Sequence, residues 1–225
     1  MKTVGIIGGL GPETTAKFYM QIVSLCAKNN CERRPNILIA NVPISHKLEK
    51  KFINRSEGRN EFCELLICAA KTLEKGNADF IVLPCNTAHV FIDDIKNSVN
   101  IPVLSIIDES VKILKSRGVQ KVGLLSTPAT IKNKLFDKKI NIVKPSKINQ
   151  NKMGTIINSI LRAQHHDQDR IELLKIIEGV SRKSDALLLA CTDLQLLITE
   201  KKLNGIEIFD TMQILADATV REILI

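Results

Sequence analysis

The chain has 225 residues, room for one large domain or two small ones, and 44% of them are hydrophobic, so aliphatic side chains can fill a core that has no Trp. Its formal charge is +8, but most lysines fall on presumed helix faces and between Lys132 and Lys152; with no basic stripe interleaved with aromatics, a solvated surface that helps gather a small anionic substrate is expected, not nucleic-acid binding. No apolar stretch approaches the roughly 18 residues of a membrane span, and Met1-Lys2-Thr3 runs into a strand with no signal-type segment, so a cytoplasmic protein with reduced thiols is expected.

In chain order, Val4 to Gly9 reads as a buried strand closed by a Gly-rich loop, and Pro12 and Glu13 suit the first turn of a helix. Asn60 to Lys75 carries Phe62, Leu65, Leu66, Ala69, Ala70 and Leu73 at helical spacing, with Gly76 as the stop. Ala78 to Thr87 is a short apolar run ending in Cys85, and Ile101 to Ser105 is the next strand. Asp108 to Ser116 is helical, with Gly118 beyond it, and Val122 to Thr127 opens a second half as Val4 to Gly9 opens the first. Arg170 to Val180 is a helix, Ser184 to Asp193 an apolar run ending in Cys191, Ile206 to Asp210 a strand, and Thr211 to Ile225 a terminal helix. Val/Ile/Leu runs without polar alternation mark strands buried on both faces, hence parallel sheets with helical crossovers. The expected fold is α/β: two pseudo-symmetric Rossmann-like domains with parallel sheets and an active site in the cleft between them. The terminal helix is expected to return to the first domain, giving domains of 1–104 plus 210–225 and 105–209.

The two halves match in detail. Ala78-Asp79-Phe80-Ile81-Val82-Leu83-Pro84-Cys85-Asn86-Thr87 parallels Ser184-Asp185-Ala186-Leu187-Leu188-Leu189-Ala190-Cys191-Thr192-Asp193, and both the Asp pair and the Cys pair stand 106 positions apart. Cys26, Cys63 and Cys68 fall in helical patterns and are expected to be buried structural thiols; Cys31, among Glu32, Arg33 and Arg34, reads as incidental. Cys85 and Cys191 differ, because ligands of open α/β sheets bind at the carboxyl ends of strands. Two thiols there can remove a proton from one face of a carbon and return one to the other, inverting a stereocentre without a cofactor. A helix starting after each cysteine would favour thiolate through its dipole, and Asn86, Thr87 and Thr192 can donate hydrogen bonds to a carboxylate or a developing enediolate. With no CxxC pair and no supporting ligands near His165 and His166, a metal site is not expected.

Three stretches carry a family resemblance: Gly5-Ile6-Ile7-Gly8-Gly9-Leu10-Gly11-Pro12-Glu13-Thr14-Thr15, Pro84-Cys85-Asn86-Thr87-Ala88-His89, and Ala190-Cys191-Thr192-Asp193. With them the chain resembles the aspartate/glutamate racemase superfamily, most closely its aspartate racemases. The resemblance implies a cofactor-independent racemase, commonly dimeric, with Cys85 and Cys191 as paired acid and base. It implies substrate contacts from Gly9, Asn86, Thr87, Thr127, Thr130 and Thr192, and a carboxylate anchor at Arg162. His89 and Asp193 stand where they can tune the thiols. Two departures matter. Ala190 and Asp193 replace the usual Gly and Glu, which is expected to put a methyl beside the sulfur and shorten a carboxylate's reach. Ser45-His46-Lys47-Leu48-Glu49-Lys50-Lys51 replaces an Asp-Arg-Thr-like segment, leaving Lys47, Lys51 or Arg55 to hold a side-chain carboxylate. The expected substrate is aspartate, with glutamate or a broader set of amino acids as the alternative. Within the superfamily, hydantoin racemases and maleate isomerases are rival readings, whereas two retained cysteines argue against the single-cysteine arylmalonate decarboxylases. A catalytically silent amino-acid-binding protein is the rival of a different class.

Overall fold

A computed structural model describes residues 1–29, 31–203 and 205–225. The first half is a parallel sheet of β1 (Val4–Gly8), β2 (Ile37–Asn41), β3 (Phe80–Val82) and β4 (Val103–Leu104), in the order β2-β1-β3-β4. The second holds β5 (Lys121–Ser126), β6 (Asn141–Val143), β7 (Ala186–Ala190), β8 (Lys202–Leu203) and β9 (Ile206–Asp210), in the order β6-β5-β7-β9-β8; only β8 is antiparallel. The mixed α/β architecture with two parallel sheets is as expected. Short edge strands β2, β6 and β8 were not among the expected elements, because their half-exposed residues lack the fully apolar signature of β1, β3, β5 and β7.

The recurring Asp has a structural reason. Asp79 accepts the main-chain N–H of Thr3 at 2.6 Å, and Asp185 accepts those of Lys121 and Gln120 at 2.8 and 3.1 Å. Each carboxylate thus ties the start of its cysteine-bearing strand to the start of the strand that opens its own half.

Helices cover both faces of each sheet. α1 (Pro12–Lys28) starts on Pro12 and buries Phe18, Ile22 and Cys26, one turn apart. α3 (Arg59–Lys75) buries Phe62, Leu66, Ala69, Ala70 and Leu73. Gly76 closes it as expected, at a right-handed φ of −76°, and the left-handed turn falls on Asn77 at φ +63°. α5 (Ile106–Ser116) begins two residues before the expected Asp108, because the Ser105 hydroxyl accepts the Asp108 N–H at 3.1 Å and caps the helix. α8 (Asp167–Ser181) begins beside His166, whose N–H is accepted by Asp169 at 3.0 Å, so the His165-His166-Asp167-Gln168-Asp169 stretch is a helix start. α9 (Thr211–Ile223) lies against α1 and α5, with Gln21 bonded to Gln213 at 3.2 Å and Arg221 paired with Glu109 at 2.8 Å. Val4, Ile6, Phe80 and Val82 of one sheet share one core with Val122, Leu124, Ala186 and Leu188 of the other, bridged by α1, α5 and α9; separate cores fill the outer faces.

Not all cysteines follow expectation. Cys26 is buried, but Cys63 is half-buried and Cys68 exposed, since Cys68 lies off the stripe of Phe62, Leu66 and Ala69. Cys31 is not incidental: it packs half-buried on the central core next to Cys26, whose thiol burial and Cys31 push up to about 11.

The turn after β1 needs glycine. Gly9 has φ +88°, and a Cβ there would lie 2.8 Å from the main-chain nitrogen of Val42. Gly9→Ala is expected to cost at least about 1–2 kcal/mol in left-handed strain alone. That lowers Tm by about 2–8 °C for a chain of this size; an unchanged Tm in a thermal melt would contradict the assignment.

Candidate active site

Cys85 and Cys191 line one cavity between the halves. Cys191 directly follows β7, and Cys85 follows β3 after Leu83 and Pro84. Each leads into a 3₁₀ turn, Thr87–Phe91 and Thr192–Leu196. The walls are Leu10, Phe52, Ile53, Phe62, Ile157 and Leu161; the polar lining is Asn86, Thr87, Thr127, Thr192, Asp193 and Glu49. The free volume is only about 20 Å³, room for about one water molecule. A wider cleft of about 570 Å³ adjoins it, sharing Leu161 and Asp193 and rimmed by Gly11, Glu13, His46 and Arg162.

Side-chain hydrogen bonds bind the chain together around the thiols. Thr192 donates to the carbonyl of Pro84 at 3.1 Å, and Thr87 meets Thr127 at 2.9 Å. Asn86 donates through Nδ2 to Thr211 at 2.8 Å, and Thr14 donates to Asp193 Oδ1. Thr127 caps α6 (Pro128–Lys132) by accepting the N–H of Thr130 at 3.1 Å, and the Thr130 hydroxyl backs Thr127 at 3.0 Å without joining the lining. Asn86 Oδ1 is buried with no hydrogen-bond partner, an acceptor left open at the cavity.

α2 (His46–Arg55) closes the cavity from above. Ser45 caps it by accepting the Leu48 N–H at 3.2 Å, and Ser56 and Gly58, at φ +57° and +73°, turn the chain into α3. Phe52 stacks on Phe62 and Phe91 with centroids 4.4 and 5.4 Å away. Across the cleft, α2 meets α6 and α7 (Lys147–Ile160), where Asn158 donates to Asn54 at 3.1 Å. The sequence reading saw here only a departure from the family pattern. It missed Glu49, whose carboxylate sits in the apolar stripe of Leu48, Phe52 and Ile53; an acidic residue inside that stripe was the available signal.

The electrostatics run against one expectation. The N–H groups of Ala88 and Thr87 do hydrogen-bond Cys85 and lower its pKa, but burial outweighs them. Asp193 and Glu49 add to the rise, and the thiol is pushed up to about 12. Cys191 is raised well above the ordinary thiol range by burial and then Asp193. After Cys85 the 3₁₀ turn runs on into α4 (Ile92–Ser98), as expected of a helix following the cysteine, but a 3₁₀ start offers too little dipole to offset desolvation. The Cys191 thiol donates to Asp193 Oδ2 at 3.5 Å, and burial raises the pKa of Asp193. His89 does not face the Cys85 sulfur: its Nε2 accepts the Ile106 N–H at 3.0 Å, so Nδ1–H donates to the Cys85 carbonyl at 2.8 Å. Burial holds it neutral, with a pKa of about 4.

Other expected residues lie elsewhere. Gly9 is outside the lining and serves the turn that carries Leu10 into it. Ala190 points its methyl into the central core, not beside the sulfur, because neighbouring side chains on a strand alternate faces. Lys47, Lys51 and Arg55 line a separate groove with Lys50 and Asn54. Arg162 follows α7 on the surface, exposed, between that groove and the wider cleft. Among the described residues, the cavity holding both thiols is lined by no Lys, Arg or His.

The chain matches the family described as Asp/Glu/Hydantoin racemase over residues 7–219. It is 28% identical over 225 residues to the broad specificity amino-acid racemase RacX of Bacillus subtilis (strain 168), covering 96% of each chain. Among solved structures, it resembles an aspartate racemase homologue from Pyrococcus horikoshii OT3 with TM-score 0.80 and 29% identity over 100% of both chains. It also resembles the Picrophilus torridus aspartate racemase, with TM-score 0.81 and 27% identity over 99% of this chain and 94% of that one. The chain belongs to the Asp/Glu/hydantoin racemase family and is an isomerase.

Two outcomes follow from these charges. Residue-resolved iodoacetamide labelling of the substrate-free protein should modify exposed Cys68 first and Cys85 slowly near neutrality. The Cys85 rate should climb about tenfold per pH unit well above pH 8; a plateau below that would contradict a raised thiol pKa. Burial and Asp193 raise Glu49 from 4.5 to about 7. Between those values the folded state holds a proton that the unfolded chain has lost, so this group's contribution to stability falls as pH rises. Glu49→Gln should therefore melt higher than wild type at about pH 8, with the gap closing toward about pH 5; a variant less stable at both would contradict it.

Proposed function

We propose that this chain interconverts the enantiomers of an amino acid without a cofactor, Cys85 and Cys191 acting on opposite faces of the α-carbon. The observation that carries the reading is that both thiols, one from each half, line the same cavity. One sulfur, as thiolate, takes the Cα proton; the C–H electron pair moves into the carboxylate as an enediolate, and the other thiol returns a proton to the opposite face. The free sulfur and the spent thiol then exchange protons with solvent or with a neighbouring carboxylate. Asp193, hydrogen-bonded to the Cys191 thiol, is positioned to take its proton.

Dry walls strengthen every interaction with the developing enediolate. The bond shared by Thr87 and Thr127 uses one hydroxyl proton and leaves the other for the substrate carboxylate, the Thr192 hydroxyl is taken by the Pro84 carbonyl, and Asn86 Oδ1 is an acceptor for the substrate ammonium. That ammonium also lowers the pKa of a nearby thiol, supplying the thiolate that the empty, buried site disfavours. A cavity of about 20 Å³ admits no amino acid as it stands, so the cleft must open and reclose in each turnover.

The resemblance implied aspartate. Its side-chain carboxylate calls for a cation, and Lys47, Lys51 and Arg55 face another groove while Arg162 stays at the rim.

Single replacement by Ala at Cys85 or Cys191 should lower racemisation by at least about 10²-fold, while exchange of the Cα proton persists for one enantiomer only, a different one in each variant. Proton NMR in heavy water with a panel of L- and D-amino acids reads both. Racemisation that survives loss of either sulfur would defeat the two-thiol reading; no exchange with any amino acid by the folded wild type would point to the silent binder.

A further inference from the structure

Glu49 is 9% exposed and lines the thiol cavity, yet among the described residues its carboxylate has no ion pair and no side-chain hydrogen bond. Its one charged neighbour is Asp193, and that contact is repulsive. An unpaired buried carboxylate is costly, and such groups are kept where a ligand supplies the missing charge. Asn86, in the same lining, has a buried Oδ1 with no hydrogen-bond partner. A carboxylate and an amide oxygen therefore lack donors in a cavity that, among the described residues, is lined by no Lys, Arg or His.

We propose that the site selects amino acids with a cationic side chain, Glu49 receiving the side-chain ammonium or guanidinium while Asp193 and Asn86 receive the α-ammonium. This deepens the racemase reading and rests on it. The charge balance decides against acidic substrates. Aspartate would bring a net charge of about −1 to a lining that holds two carboxylates and, among the described residues, no Lys, Arg or His, whereas lysine or ornithine brings about +1, with one ammonium beyond the pair that every amino acid carries. The apolar side chains of Phe52, Ile53 and Leu161 suit the aliphatic stem of such a substrate. Glu49 rides on α2, the element that spans the cleft, so the ion pair forms as the site closes over the substrate. Burial and Asp193 place Glu49 at about 7 in the empty site, and a bound cation returns it to its ionised form.

The test is Cα-proton exchange in heavy water, comparing L-lysine, L-ornithine and L-arginine with L-norleucine, the uncharged counterpart of lysine, and with L-aspartate and L-glutamate. Wild type should favour lysine or ornithine over norleucine by about ten- to a hundredfold in kcat/KM, with the acidic pair slower still. Glu49→Gln should collapse the lysine-to-norleucine ratio toward one. Aspartate or glutamate outrunning lysine, or an unchanged ratio in Glu49→Gln, overturns the assignment while leaving the racemase reading intact. Exchange with none of the panel overturns both.

Discussion

The hydrogen bonds that cross between the halves are what the site depends on. Thr192 reaches the carbonyl beside Cys85, and Thr87 reaches Thr127. Thr14 holds the carboxylate that the Cys191 thiol also touches. Each bond contributes only about 1 kcal/mol net, but together they hold two sulfurs from separate sheets on one cavity. Burial there has a cost that the structure displays: both thiols and both carboxylates are pushed toward their neutral forms. Groups poised this way are returned toward their ionised forms by nearby positive charge.

Much of this was legible in the residues. The repeat of Asp79 and Cys85 in Asp185 and Cys191 announced two like halves, and the strands confirm why both members recur: the Asp anchors the strand's start, the Cys ends it. Buried strands and long amphipathic helices were readable because their periodicity is strong. What escaped was local or tertiary. The strands β2, β6 and β8 are short edges with mixed exposure. The 3₁₀ turns after the cysteines look, in sequence, like the starts of α-helices, so the expected lowering of the thiol pKa did not survive burial.

Glu49 is the instructive omission. Reading 45–51 against a family pattern directed attention to its lysines, the residues that could replace an arginine. Folding turns Lys47, Lys50 and Lys51 outward to a surface groove and turns the glutamate in, because Leu48, Phe52 and Ile53 fix which face of α2 is buried. Helical phase, not similarity of charge, decides which side chain faces the cavity. His89 carries the same lesson: one turn from the sulfur in sequence, it spends both ring nitrogens on main-chain groups that hold the Cys85 loop.

The central claim is that two groups on opposite faces divide one proton transfer. Its most direct measurement follows a single enantiomer of a turned-over amino acid in heavy water to low conversion, separates the enantiomers, and weighs each. The account predicts deuterium at Cα in the product and none in the recovered substrate, since the base that removes the proton is not the acid that returns one. Deuterium entering recovered substrate as fast as product would mean that a single base serves both faces, and would contradict it.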